Sequence, residues 1–407
     1  MNHHRVTHVF DSHRFDVRHS TGLPALATNR LLGFAASTII GIFFPIFLFE
    51  FFNESLVPVF VWFGVMYVLR APLFILAAKF FTRFSLVASM CVGTFAWLFY
   101  YLGPYAIERF PDIPQNPLIL MSLVAVAISA AFYWTPFHVD FSKFASQKKR
   151  GAQEGVLLAL QRAISMFAPL FGGWVIVTYS YDTAFLIGLV VIILSLIPLA
   201  FIPSNPVQYE YGFFETFRIM FSKKYRYLTL SMIGYGAESS VSAVVWPIFL
   251  FIIFDGDHLS FGTFAGAVAI VGIVLQFFMG RYLDHHKKKK LLKWGVDFYA
   301  LGWLGKAFFS SVVGVFAAST FHSFGAIFMG TPLHTLLHEK AADAGHYIDE
   351  FTTIREVATT IGRAAMMFGL IIVVSLWSIN IAFVAAAIVS LLMTFLGRYQ
   401  AKKLLSK

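Results

Sequence analysis

The chain has 407 residues, of which 58% are hydrophobic, 18% aromatic and only 13% charged, and its formal net charge is +10. That apolar share excludes an ordinary soluble domain and points to a membrane protein. The single cysteine, Cys91, excludes a disulfide framework and a thiolate metal cluster.

Residues 1–30 lack the basic, apolar and small-residue order of a cleaved secretory signal, so a retained cytosolic tail is expected there. His3, His4, His8, His13 and His19 lie in this tail without regular ligand spacing, and neither metal nor other cofactor is expected. Beyond it, a hydrocarbon core of ~30 Å needs ~20 apolar residues as helix. Segments of that length fall at about 31–53, 56–81, 84–106, 117–139, 154–179, 183–203, 227–253, 260–282, 291–311, 314–337, 351–376 and 379–398. No ten-residue alternation suggests a barrel. The expected fold is therefore all-α, with twelve transmembrane helices in two six-helix bundles, 31–203 and 227–398. A cytosolic linker is expected at 204–226, amphipathic over FFETFRIMFSKKYR, and a second tail at 399–407.

Basic residues orient the spans. With the N-terminus in the cytoplasm, Lys79, Arg83, KKR at 148–150, Lys223, Lys224, Arg226 and the lysine run 287–290 fall inside, whereas the outer loops hold Arg109 alone. Glu54, Glu108, Asp112, Asp182, Asp255 and Asp257 fall outside, in keeping with the positive-inside rule. Orientation, with anionic lipid at the cytoplasmic surface, accounts for the net charge, so no nucleic-acid partner is expected. Both termini are expected in the cytoplasm, with the chain in a bacterial-type plasma membrane.

The two bundles read as copies. TPFH at 135–138 returns as TPLH at 331–334, an offset of 196, and the same offset pairs Ala145 with Ala341, Glu154 with Glu350 and Gly173 with Gly369. PIFLF at 45–49 returns at 247–251, an offset of 202. Halves with an even number of spans share one orientation and are related by an axis along the membrane normal. His138 and His334 then read as paired hinges at an inner gate, where proline bends the span and histidine bonds carbonyls of its last turn. A catalytic pair of His138 and Asp140 is not repeated, because Leu336 stands in the place of Asp140.

GRYLDHHKKKK at 280–290, with Gly280, Arg281 and Asp284, resembles the loop signature of the major facilitator superfamily. The first-half equivalent, AKFFTRF from Ala78, departs from it by having Ala78 and Thr82 at the glycine and aspartate positions. APLFGG at 168–173, with Pro169, Gly172 and Gly173, is similar to the family's proline and paired-glycine signature, often associated with proton-exchanging exporters; Ala168 stands where that pattern prefers glycine. The arginine that many drug exporters carry in the fourth span is absent from SLVAVAISAAFYWTP. The resemblance implies that spans one, four, seven and ten line a cavity, two, five, eight and eleven form the rim between halves, and the rest face lipid more. It also implies alternating access by rocking of the halves, and a functional monomer.

Ionisable residues at mid-membrane in one half only are the site candidates. Glu238 in the seventh span has Ala36 as its counterpart and shares a face with Tyr235, Ser242 and Trp246; it reads as a substrate or proton site, or as a structural hydrogen-bond acceptor. Arg70 in span two reads as an anion-binding residue or as half of an interhelical ion pair. Arg162 and Arg363 read as gate residues facing carboxylates such as Glu154, Glu350 or Glu356, or as part of the site. Lys306 shares a stripe with Tyr299, Trp303 and Ser310 and either snorkels or meets a partner on span seven. His322, beside Thr320 and Ser323, reads as a hydrogen-bonded core histidine or a proton relay.

Cations outnumber carboxylates in this set, which tilts the expected solute toward an anionic or zwitterionic one. No GxxxxGK[ST] loop cradles phosphate, so ATP-driven transport by this chain is not expected. The expected function is secondary active transport of a small organic solute by alternating access, coupled to protons or another ion. The alternatives are a proton-driven multidrug exporter with an aromatic pocket, a lipid flippase, and a membrane-embedded transferase using His138 and Asp140.

Overall fold

Proline sets the breaks in the first and seventh spans. The computed structural model describes residues 7–144, 150–204, 209–284, 288–343 and 348–399. The first span is α1 (Thr7–Gly41) followed by α2 (Phe44–Phe51), with Pro45 in the opening turn of α2, where a missing N–H costs no helical bond. Five helices complete the first half: α3 (Leu56–Arg83), α4 (Leu86–Arg109), α5 (Gln115–Phe144), α6 (Arg150–Thr178) and α7 (Tyr181–Leu199). A short α8 (Phe213–Met220) lies in the connection. The seventh span is α9 (Arg226–Ser240), a π-turn over Val241–Val245, and α10 (Trp246–Ile253), opened by Pro247. Then come α11 (His258–Asp284), α12 (Lys288–Phe308), α13 (Val312–Asp343) and α14 (Ile348–Leu376). The last span is α15 (Ile381–Ser390) continued by a 3-10 segment over Leu391–Arg398.

All regular structure among the described residues is helical, as a bilayer demands of a backbone with no water to bond. Among the described residues, eleven stretches are long and apolar enough to cross a membrane. The twelfth is α12, whose 21 residues span about 31 Å but carry enough lysine to lower its hydropathy. Outward faces present Leu120, Ile193, Phe277 and Ile388, which suit contact with lipid chains.

The repeat is visible in packing as well as in sequence. A Cβ on Gly93 of α4 would come within 2.9 Å of the Tyr133 backbone nitrogen on α5, and Gly295 of α12 meets the Met329 nitrogen on α13 in the same way, displaced by the offsets of 202 and 196. Asn53 and Glu54 close the first span with positive φ, and Asp255 and Gly256 close the seventh likewise. Within each half the helices pack chiefly on their own neighbours, while α3 against α14 and α6 against α11 join the halves. These are the four helices expected at the rim.

One boundary differs from the expectation of a tail over 1–30. Helix α1 already begins at Thr7, a membrane-length stretch begins at Gly22, and Leu26, Asn29 and Arg30 are buried in the first half. Asn29 is held there because its side chain donates to the Ser195 carbonyl and accepts from the Tyr133 hydroxyl, at 2.7 Å each. Arg30 lies over the Trp134 ring at 4.5 Å. The linker and the C-terminus meet at one end of the bundle, where Tyr225 stacks on Tyr399 and Glu350 accepts from the Glu210 backbone at 2.8 Å. This is termed the linker end below, and the opposite one the far end. His3, His4, the second tail beyond Tyr399, and residues 145–149 and 285–287 of the basic loops lie outside the described residues.

Candidate functional site

The π-turn at Val241–Val245 follows Glu238 by less than one turn of helix and precedes Pro247. Insertions of this kind re-aim the side chains around them and recur at functional sites. Glu238 is 2% exposed. Its Oε1 accepts from the Tyr299 hydroxyl at 2.6 Å and from Trp303 Nε1 at 3.2 Å, both on α12. The Lys306 ammonium, one turn further along α12, lies 3.8 Å from the Trp246 ring and 4.4 Å from the Trp303 ring, within electrostatic reach of Glu238 but outside ion-pair contact. The His322 ring packs 4.2 Å from Tyr299 and 4.6 Å from Trp303.

Backbone proximity makes this cluster possible. A Cβ on Gly302 would crowd His322 Cα at 2.7 Å, so glycine lets α12 lie against α13. The stripe of Tyr299, Trp303 and Lys306 is consequently buried toward α9, while Trp294 and Leu301 of the same helix face outward. Of the two readings of Lys306, the structure realises the partner on span seven.

A cavity of about 300 Å³ opens beside the carboxylate, lined among others by Tyr235, Glu238, Ser239, Ser242, Tyr299 and His334. It has few but convergent polar groups, the usual make-up of a small-molecule site. A second cavity of about 490 Å³ between α1 and α6 is lined by apolar side chains, Leu31 and Phe167 among them, with nothing to orient a ligand.

Arg363 connects the cavity to the other half. Its Nε donates to Ser239 Oγ at 3.1 Å, and its guanidinium carbon lies 5.7 Å from the Tyr67 ring of α3. Arg70, on the same helix as Tyr67 and one turn away, sits 5.3 Å from that ring. Tyr67 is thus shared by two guanidinium groups from opposite halves. Arg70 is buried, its Nε has no hydrogen-bond partner, and it makes no ion pair within 4 Å among the described residues. Arg355 and Glu356, on the linker-end side of Arg363 on α14, pair with each other at 2.7 Å.

The remaining candidates are dispersed. Arg162 is half-buried on α6 and joins none of these contacts; Glu154 is in the same helix, but its side chain lies outside the described residues. Gly280, Arg281 and Asp284 close α11, and the side chains of Arg281 and Asp284 likewise lie outside the described residues. Pro169, Gly172 and Gly173 mark the crossing of α6 with α1 and α11. A Cβ on Gly172 would overlap the Ile39 carbonyl, one on Gly173 would meet the His258 carbonyl at 2.5 Å, and one on Gly262 would meet that of Pro169 at 2.6 Å. His138 stacks on Trp134 at 5.7 Å, whereas His334 stands edge-on to Tyr235 at 6.4 Å and lines the cavity. Helices α5 and α13 run through Pro136 and Pro332. His138 and Asp140, two residues apart on α5, project in different directions, which removes the geometry of a catalytic pair.

A cluster at the far end was not anticipated from sequence. The Tyr181 hydroxyl donates to Glu50 Oε2 at 2.8 Å and lies 2.7 Å from His258 Nε2. A phenol has one proton, so with Glu50 as its acceptor the His258 Nε2–H donates to Tyr181. Phe43 and Phe251 flank the His258 ring. Residues of α2 and α7 are thereby tied to the first turn of α11 in the other half. The available signals were a lone acid, Glu50, inside an apolar run, and a histidine opening a span.

Comparison with curated proteins returns no match by sequence. Among solved structures, the fucose:proton symporter of E. coli superposes with a TM-score of 0.64 at 14% identity, covering 93% of this chain and 98% of that one. The human organic anion transporter MFSD10 gives 0.69 at 13% identity, covering 93% and 99%, and a D-xylose-proton symporter gives 0.65 at 15%, covering 90% and 95%. At such identities the likeness is one of fold. The Major Facilitator Superfamily profile, by contrast, matches residues 26–362. The chain therefore belongs to the Major Facilitator Superfamily, and is a multi-pass membrane transporter rather than an enzyme.

Proposed function

We propose that this transporter moves a small organic solute by alternating access and couples that movement to protons at Glu238. The observation that carries the reading is a buried carboxylate in the wall of a cavity of about 300 Å³, held by two neutral donors and within electrostatic reach of a lysine. A carboxylate so placed can take up and release a proton as the cavity exchanges access between the two sides. Two of the structural neighbours are proton symporters, which agrees with the reading.

The cavity belongs to α9, α12 and α13, while Arg363 and Arg70 carry its polar chemistry to the interface of the halves. In this reading Arg162, His138 and the Pro169, Gly172 and Gly173 crossing serve the moving framework rather than the solute, and Gly280, Arg281 and Asp284 serve the gate at the linker end. The linker end faces the cytoplasm in a plasma membrane, with 22–203 and 227–398 as the two rocking halves of a monomer and lipid around them. The test is solute uptake into proteoliposomes with and without an imposed pH gradient, after a thermal-stabilisation screen for solutes. Uptake indifferent to the gradient, and equal in wild type and Glu238→Gln, would remove the proton from the mechanism.

A further inference from the structure

The charges between the halves do not balance. Three guanidinium groups, Arg70, Arg363 and Arg355, share this region with Glu356, which Arg355 already holds through its Nε at 3.1 Å and a terminal nitrogen at 2.7 Å. The nearby carboxylate, Glu238, lies within electrostatic reach of both Lys306 and Arg363, so four cations share two carboxylates. Two cations are left over. Arg363 spends one donor on Ser239, and Arg70, 7% exposed, has a buried Nε without a hydrogen-bond partner among the described residues.

An arginine in mid-span is retained only where something compensates its burial. Here the Tyr67 ring lies near both groups, at 5.3 and 5.7 Å, and so brings one guanidinium from each half to the same side chain. A ring face offers weak compensation compared with an anion. The planar fork of arginine matches a carboxylate's two oxygens, and two forks from opposite halves suit a group that both must grip at once. Ser239 joins Arg363 to the cavity wall, where Tyr235, Ser242 and Ala243 leave room for a small, partly apolar body.

We propose that the transported solute is a small organic anion whose carboxylate seats between Arg70 and Arg363, with its body in the cavity lined by Tyr235, Ser239 and Ser242. The proposal rests on the transport reading and narrows it. Because one arginine belongs to α3 and the other to α14, a seated carboxylate ties the two halves together, and an empty site leaves like charges facing each other. Solute binding then favours the arrangement in which the rim helices are closed.

The test uses the purified full-length protein, with acetate and benzoate as carboxylate probes and acetamide and benzamide as their uncharged counterparts at equal ionic strength. Thermal unfolding is expected to shift upward with the acids and not with the amides. Arg70→Gln and Arg363→Gln should each weaken the acid effect about 10- to 100-fold in apparent affinity, while the unliganded variants unfold at or above the wild-type temperature, since each sheds an uncompensated charge. Arg70→Lys, which keeps the charge but loses the fork, serves where the glutamine variant does not fold, and should also bind weakly. Acids no better than amides, or Arg70→Gln and Arg363→Gln that both bind acid as wild type does, would overturn the seat. Binding of acid without movement of any solute in proteoliposomes would remove transport and leave the seat. Gradient-driven movement of a neutral solute, untouched by Arg70→Gln, would keep transport and remove the seat.

Discussion

The hydroxyl of Tyr299 donates to Glu238 Oε1 at 2.6 Å, joining α12 to α9 at the point where the seventh span departs from regular α-helix. With Trp303 as a second donor, both contacts to Oε1 come from neutral groups. Neutral donors hold the side chain in place whether or not it carries a proton, whereas a direct ion pair would bias it toward the charged form. The arrangement combines a fixed position with a variable charge.

Replacing the charge while keeping the shape separates these two properties. Glu238→Gln retains an Oε1 acceptor for Tyr299 and Trp303, so the variant is expected to fold and to exchange solute across a membrane without a gradient. Accumulation driven by a pH gradient is expected to fall to background. Counterflow and gradient-driven uptake, measured on the same proteoliposomes, check this; equal loss of both would mean that Glu238 holds the solute itself and does not couple it to protons.

Glu238, Arg70, Lys306 and His322 were legible in the sequence because a twofold repeat exposes whatever one half has and the other lacks. Tyr299 and Trp303 share the stripe with Lys306, yet sequence does not mark them as donors to Glu238, because the face that α12 turns toward α9 is set by its packing against α13, where glycines such as Gly295 and Gly302 let the backbones approach. Aromatic residues are also so abundant, with 48 Phe, 16 Tyr and 8 Trp, that a polar ring edge cannot be told from packing by type alone. The convergence of Arg70 and Arg363 on Tyr67 depends on the rotation of α3 and α14 about their own axes, which periodicity does not specify. The twelve spans and the rim helices, by contrast, follow from length, hydropathy and repeat, which require no tertiary contact.

Lys306 and Glu238 interact without touching, so their coupling is a matter of charge rather than of a particular hydrogen bond. Lys306→Met is expected to destabilise the protein by about 1–3 kcal/mol, the scale of two charges several ångströms apart in a medium of intermediate polarity. Adding Glu238→Gln should recover most of that loss. Thermal unfolding of the two single variants and the double variant forms the cycle; strictly additive effects would show that Lys306 acts through its contacts with Trp246 and Trp303 instead.

Helices α9 and α14 touch through a reciprocal pair of glycines. A Cβ on Gly236 would overlap the Thr359 carbonyl, and one on Gly362 would overlap that of Ile233. Because the obstruction is backbone, which cannot rotate away, Gly236→Ala is expected to cost roughly 1–3 kcal/mol and to displace Arg363 from Ser239. Gly272→Ala on α11, where nothing lies within 4 Å of the added carbon, is the matched control. A fall in unfolding temperature for Gly236→Ala with no change for Gly272→Ala is the expected pattern, and equal falls would refute the packing argument.

The far end is closed by a contact that opening must break. His258 donates to Tyr181, which donates to Glu50, and the Gly173 and Gly262 crossings bring α6 and α11 together nearby. Rocking the halves apart on this side separates His258 from Tyr181 before it disturbs either half internally. His258→Ala removes the donor and the ring that Phe43 and Phe251 enclose, and Tyr181→Phe removes the hydroxyl alone. Both should raise the population open at the far end, His258→Ala more. Spin labels at Glu54 and Leu259, exposed and in opposite halves, report the separation by pulsed electron resonance in a Cys91→Ser background. A longer distance component is expected to grow in both variants. An unchanged distance distribution in His258→Ala would show that the glycine crossings alone hold this end closed, and that the three polar side chains merely fill it.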